Sequence, residues 1–407
     1  MTGDSPDVAL GEPKVLSEKW LLLLLAAVQF THIMDFMIMM PLGPQLMREL
    51  EISPTQFGGL ISAFGLTAGG AGLIMAPFAD RFDRRRLLLI CYAGFALGTL
   101  ACGLAVDASQ LLISRAVCGA FGGISGATIM AIVADVVPAE RRARGMGIIM
   151  TAFSAAAALG VPLGLKVAQW WKWEGPFLVI AIAAVVVWVG LFFLLPSVRD
   201  HLTEGKTRSG RDFLELLRNV NAWRGLALMS TMVFAHFTII PFLSPYLVHN
   251  VQLPESKLFL IYLTGGLVTI FTGPWIGRLA DRHGRFRVYC VLVAGACIVI
   301  RALTTAGPQP LWMTLFLAAL FFAFASGRFV PGQATISMAV PRARRGAYMS
   351  LVACSRDLAA GATATFGSWI VGEGNEQRLL NFDRLGLITI AVSIGSLWIY
   401  RQVKAVE

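Results

Sequence analysis

Apolar residues run along this chain in long blocks, separated by short polar stretches rich in arginine. The block "WLLLLLAAVQFTHIMDFMIMMP" (20–41) matches the roughly 20 residues that carry an α-helix across a bilayer core of about 30 Å. The same pattern predicts twelve spans, near 20–42, 55–79, 87–106, 109–137, 145–168, 174–196, 222–249, 257–280, 288–306, 310–340, 346–371 and 383–400. A β-barrel would need alternating segments of about ten residues, and the chain has none. The expected fold is an all-α polytopic membrane protein of twelve transmembrane helices. The first 19 residues are polar, and the first helix is too long for a signal core and lacks a small-residue cleavage site.

The longest connection, 197–221, lies mid-chain and ends in "RDFLELLR", which reads as a short amphipathic helix. It separates two groups of six spans. "APFADRFDRRRLLL" (76–89) follows span 2 and "GRLADRHGRFRV" (277–288) follows span 8, with Asp80 and Asp281 201 positions apart. "PAERRARG" (138–145) and "PRARRG" (341–346) repeat at a similar offset after spans 4 and 10. Two loops agreeing on one period indicate an internal repeat, the plan of transporters that work by alternating access. The domains expected are a tail at 1–19, bundles at 20–196 and 222–400, a linker at 197–221 and a tail at 401–407.

Composition agrees: 56% of residues are hydrophobic and 14% charged, against about 45–50% and 25% in soluble domains. The formal charge of +10 is a matter of topology and does not call for nucleic acid. Most Lys and Arg residues fall on the side that carries the termini. The other side holds Arg48, Lys166, Lys172, Lys257, Arg301, Arg378 and Arg384. The positive-inside rule then puts both termini in the cytoplasm. The six cysteines lie inside predicted helices without metal or redox spacing and read as packing residues. No N-x-[ST] sequon occurs, which fits a bacterial inner membrane. Walker-type and H-E-x-x-H patterns are missing, so neither ATP drive, nor a metal or other cofactor, nor enzymatic function is expected.

These motifs resemble the major facilitator superfamily. "GRLADRHGR" resembles its G-x-L-A-D-R-x-G-R/K signature, and "APFADRFDRRR" does so with Ala76 and Asp83 in place of the two glycines. "LLISRAVCGAFGG" (111–123) resembles the L-x-x-x-R-x-x-x-G element, and "ALGVPLG" (158–164) a version of the antiporter motif. The subgroup most similar is the twelve-helix drug/proton antiporters, especially arabinose-efflux-like permeases. The resemblance implies two bundles around a cavity lined mainly by helices 1, 4, 7 and 10. It also implies a conformational latch at Asp80, Arg84 and Asp135, repeated at Gly277, Asp281, Arg282, Gly284 and Arg285. Gly160, Pro162 and Gly164 would serve conformational change and antiport.

Charges within the spans carry the chemistry, because a charge at the bilayer centre costs about 2.5–3.5 kcal/mol on insertion scales. They are Asp35, Arg115, Arg328, Arg356 and Asp357. At 1.5 Å per residue, Asp35 lies about 22 Å from the inner end of its helix and Arg115 about 9 Å from the outer end of its own. The two can therefore share a level. Asp35 is expected to carry a proton, with Arg115 and His32 coupled to it. The alternative is a structural acid paired to an arginine. His32 at i−3 and Gln29 at i−6 continue its stripe. Substrate contacts are expected from Gln29, Phe36, Met39, Met40, Phe234, His236, Phe237 and Arg328, and from Arg356 and Asp357, whose adjacent side chains should diverge.

The expected function is export of a small organic molecule (drug-like compound, sugar or metabolite) in exchange for protons. Import or facilitated diffusion is the alternative, and a non-transporting membrane sensor on the same fold is the reading from a different class. The expected setting is a monomer in the lipid bilayer of a bacterial inner membrane, with substrate and protons as partners and no nucleic acid.

Overall fold

A computed structural model of the chain describes residues 17–76, 78, 81–138, 141–198, 215–341, 344–374 and 377–406. The N-terminal half contains α1 (Glu18–Ile38), α2 (Gly43–Glu49), α3 (Pro54–Met75), α4 (Arg84–Gly103), α5 (Ala108–Val136), α6 (Arg142–Ala155), α7 (Val161–Trp171) and α8 (Glu174–Leu194). The C-terminal half contains α9 (Val220–Phe237), α10 (Ile240–His249), α11 (Leu258–His283), α12 (Arg285–Thr304), α13 (Leu311–Phe321), α14 (Phe329–Ser337), α15 (Arg345–Ile370) and α16 (Phe382–Gln402). Asp80, all of 199–214 and residues 1–16 of the N-terminal tail lie outside the described residues; of "RDFLELLR", residues 215–218 are helical.

Local chemistry sets the helix ends. Ser53 and Gln56 form a capping box with Pro54 in the first turn of α3, and Asp107 caps α5 through the Gln110 amide. Pro41 and Pro44 follow α1, while Pro241 and Pro245 sit within α10, so spans 1 and 7 both break near the same level. A π-helical turn, Ala156–Gly160, joins α6 to α7, and another, Phe322–Ser326, precedes α14.

Among the described residues eleven helices are long and apolar enough to cross a membrane. α15 has 26 residues but carries Arg345, Arg356 and Asp357, and it is not one of the eleven. Exposed tryptophans mark both ends of the bundle. Trp20, Trp223 and Trp398 stand near the end that holds the start of α1. Trp170, Trp171, Trp312 and Trp369 stand at the other. Such belts mark the two interfaces of a bilayer.

The halves meet along two seams, α3 against α15 and α11 against α7 with its preceding π turn. The first seam brings backbone against backbone at Gly65 and Gly361. A Cβ on Gly65 would stand 2.7 Å from the Gly361 amide nitrogen, and one on Gly361 would stand 2.6 Å from that of Leu66. At the end away from the start of α1, further bonds hold the halves together. Arg48 pairs with Glu255 at 2.8 Å, Gln169 donates to the Ser256 carbonyl at 3.2 Å, and Thr55 donates to the Ser368 carbonyl at 3.2 Å. A two-stranded antiparallel hairpin, β1 (Gly372–Glu373) with β2 (Leu379–Leu380), lies near the same end. Asn250 holds it through both the amide and the carbonyl of Leu379.

Gly65→Val should therefore push backbone against backbone. Overpacking of this kind costs about 1–3 kcal/mol, and thermal unfolding of the detergent-purified protein should show a lower midpoint. An unchanged midpoint would mean that the seam parts freely.

Candidate functional site

Asp35 lies one turn before the end of α1, and Arg115 lies two turns into the antiparallel α5. This brings both to one level. Arg115 Nη1 stands 2.6 Å from Asp35 Oδ2 and 3.2 Å from the Asp35 carbonyl, and both side chains are fully buried. The guanidinium also lies over the Phe64 ring of α3, 4.5 Å from its centroid. Cation–π contact supplies part of what water would give. Asp35 Oδ1 and Arg115 Nε and Nη2 have no hydrogen-bond partner among the described residues. Beside the pair, Cys102 and Cys118 bring their sulfurs to 3.9 Å, a meeting of α4 and α5 that sequence spacing does not reveal.

The pair sits behind the wall of a cavity of about 420 Å³ between the halves, within the usual range of about 300–1,000 Å³ for ligand pockets. Gln29, His32, Phe36, His236, Arg356 and Asp357 line it, as do Met40 and Phe237. The lining extends toward the end that carries the start of α1, through Met150, Thr272 and Gln333.

Three expected contacts fall elsewhere. Met39 is fully buried in the turn after α1, because that helix stops at Ile38 ahead of Pro41; Met37 and Met40 face the cavity instead. Phe234 turns toward Phe366, with 5.2 Å between ring centroids. Arg328 is fully buried and donates to Ser393 Oγ at 2.9 Å and to the Met232 carbonyl at 3.4 Å. A π turn, Phe322–Ser326, stands just ahead of it, and each residue such a turn adds rotates the downstream helix by about 100°. Arg356 and Asp357 also differ from expectation. They bond to each other, Nε to Oδ1 at 2.9 Å, because the arginine chain is long enough to fold back to its neighbour.

The latch positions are asymmetric between the halves. Arg84 Nε meets Asp135 Oδ2 at 3.2 Å, so the end of α5 is tied to the start of α4. Asp83, which stands where the signature has glycine, caps α4 through the Arg85 amide at 2.9 Å and accepts from Ser197 Oγ at 2.8 Å. Its φ of −57° needs no glycine, whereas the equivalent Gly284 has φ +91° and does. Arg285, the counterpart of Arg84, meets Met338 Sδ at 3.0 Å in place of an acid. Asp281 and Arg282 are exposed at the end of α11, where a Cβ on Gly277 would stand 3.9 Å from the Val330 side chain. Gly160 and Gly164 face Met34 and Ile38 of α1, and Pro162 opens α7 just after the π turn.

Sequence reasoning missed Phe64, which carries no charge to mark it. Its ring stacks on His32 at 5.5 Å and tilts against Phe36 at 5.3 Å, while Phe36 meets Phe237 across the halves at 5.6 Å. Phe237 in turn contacts His236 at 5.4 Å. A continuous ladder of rings thus runs from His32 to His236, with Arg115 pressed on its back.

A polar-spotted cavity between two helical halves, backed by a buried ion pair, is an arrangement suited to a membrane transporter, and the family match that follows identifies the chain as one. The chain belongs to the Major Facilitator Superfamily, whose family model matches residues 25–364 and 232–405. It is 26% identical over 387 residues to the uncharacterized MFS-type transporter YceJ of Bacillus subtilis (strain 168), covering 93% of this chain and 95% of that protein. YhcA of the same organism, also an uncharacterized MFS-type transporter, is 29% identical over 249 residues, 59% of this chain and 47% of YhcA, so this match spans about half of that relative. A Helicobacter pylori (strain P12) protein named "Probable sugar efflux transporter" is 25% identical over 251 residues, covering 61% of this chain and 63% of that one. The solved structure of a D-xylose-proton symporter superposes with a TM-score of 0.76 at 16% identity, covering 96% of this chain and 99% of that one. At that identity the likeness is one of fold.

Removing one member of a buried ion pair strands the other, at about 3–5 kcal/mol. Arg115→Ala should therefore lower the unfolding midpoint further than the double change Asp35→Asn with Arg115→Gln, both read in detergent. Equal losses would show that the pair contributes no mutual stabilisation.

Proposed function

We propose that this transporter exports a small organic molecule in exchange for protons. In this reading residues 20–196 and 222–400 form two six-helix bundles of one polypeptide, and α15 is the twelfth span. Its charges face the cavity, which accounts for its low apolarity. Both termini lie in the cytoplasm of a bacterial inner-membrane protein, so the cavity faces the cytoplasm while Arg48, Glu255 and their neighbours close the outer end. Export draws support from the efflux named for the Helicobacter pylori relative.

The observation that carries the reading is the Asp35–Arg115 pair, fully buried yet separated from the cavity by Phe64 and His32. A proton on Asp35 removes the charge that holds Arg115. Substrate in the cavity presses on Phe36, His32 and Phe64, the rings that hold Arg115 from the front. Each event alters what the other meets, and such coupling is reciprocal in binding free energy. Arg84–Asp135 and the loop at 277–285 act as the latch that releases as the halves rock. Gly160, Pro162 and Gly164 let α7 move over α1.

The test is reconstitution in liposomes with an enclosed pH dye, screening sugars, nucleosides and lipophilic cations. An imposed substrate gradient should drive protons the opposite way, and Asp35→Asn should cut this flux by more than about fivefold. Protons moving in the same direction as substrate would replace exchange with symport. Full proton flux in Asp35→Asn would remove Asp35 from the mechanism.

A further inference from the structure

The first and seventh spans each bring one histidine, His32 and His236, to the cavity, although at the 201-residue period it is Asp35 that matches His236. Both histidines line the same cavity, one from each half. Each is held in an aromatic frame of the same form. His32 stacks on Phe64 at 5.5 Å and meets Phe95 edge-on at 5.5 Å; His236 stacks on Phe321 at 5.7 Å and meets Phe329 edge-on at 5.6 Å. The frames hold the rings, and His32 also turns its Nε2 edge onto Gly122 of α5, so the nitrogen it offers is Nδ1. Neither ring nitrogen of His32, nor Nδ1 of His236, nor Oε1 of the neighbouring Gln29 has a hydrogen-bond partner among the described residues. His32 and Gln29 are each 8% exposed, so these are buried polar groups waiting for a partner. Left unmet, such groups weigh against the folded state.

The charges of the site narrow what that partner is. Arg356 and Asp357 are the only Arg, Lys, Asp or Glu residues among the described lining, and they bond to each other. The other carboxylate within this region, Asp35, is held by Arg115 behind the wall. No free carboxylate remains for a cationic substrate among the described residues. Arg328 has no carboxylate partner there either, but its guanidinium points away between α9 and α16, onto Met232 and Ser393. What the cavity does offer is neutral hydrogen-bonding heads at the two ends of an aromatic ladder.

Taking the cavity as the transport site, as proposed above, we infer that His32 and His236 form a two-point hydrogen-bonding clamp, one point per half. The substrate it fits is uncharged and carries hydroxyl or amide groups on a flat apolar frame. The ring faces of Phe36, Phe64 and Phe237 take the frame, and the two histidines take the polar groups. A substrate held at both points bridges the halves, so its fit depends on how they stand to each other.

The test is equilibrium binding to the detergent-solubilised full chain without any gradient, so it stands or falls apart from proton exchange. The probes are para-nitrophenyl β-D-glucoside, its anionic twin para-nitrophenyl β-D-glucuronide, and the cation tetraphenylphosphonium. The glucoside should bind most tightly. His32→Phe and His236→Phe keep the ring stacking and remove the nitrogens, so each should weaken glucoside binding about tenfold. His32→Gln and His236→Gln restore a hydrogen-bonding head and should recover most of that loss, which a merely structural role would not produce. Tighter binding of either charged probe, glucoside affinity unmoved by both phenylalanine changes, or no glucoside binding at all would overturn the clamp.

Discussion

The contact between Asp35 and Arg115 constrains everything packed around it. Two opposite charges have left water at a cost of several kcal/mol each, and their mutual contact, the Asp35 carbonyl and the faces of Phe64 and Phe177 answer part of that cost. Asp35 fixes α1 against α5, and Phe64 draws α3 over both. The same ring is then the wall of the cavity. A change at the charges and a change in the cavity therefore act on one side chain, and the ladder from His32 to His236 carries that wall into the second half.

The two halves share local features and part company at particular residues. Both halves break their first helix near proline, and both place a histidine at the cavity. They diverge where charge is concerned. Arg84 meets Asp135, while Arg285 meets Met338. Asp35 and Arg115 form a closed pair in the first half, while Arg328 in the second is satisfied by a hydroxyl and a carbonyl. The N-terminal half thus pairs its charges between helices, while in the C-terminal half Arg356 and Asp357 pair as neighbours on a single helix.

Much of this was legible in the sequence, for physical reasons that also mark its limits. Uninterrupted apolar runs locate helices because the bilayer demands them. Asp35 and Arg115 were found because charges stand out in such runs, and rise per residue put them at one level. Residues whose direction depends on helical phase were less legible. The π turn at Phe322–Ser326 stands just ahead of Arg328, which points away from the cavity, and the early end of α1 turns Met39 inward. Arg356 and Asp357 diverge at their Cα atoms yet meet at their tips, since a long side chain can undo what the backbone sets. Phe64 had no signal at all: one phenylalanine among 26 becomes central only when three helices converge on it.

The central claim is that Asp35 takes and gives up a proton as Arg115 is released and recaptured. Infrared difference spectroscopy of the reconstituted protein, stepping between mildly acidic and neutral buffer, reads that event at the carboxyl group itself. A protonated-carboxyl band should appear on acidification in the wild type and be missing in Asp35→Asn. The same band at full strength in Asp35→Asn would contradict the account.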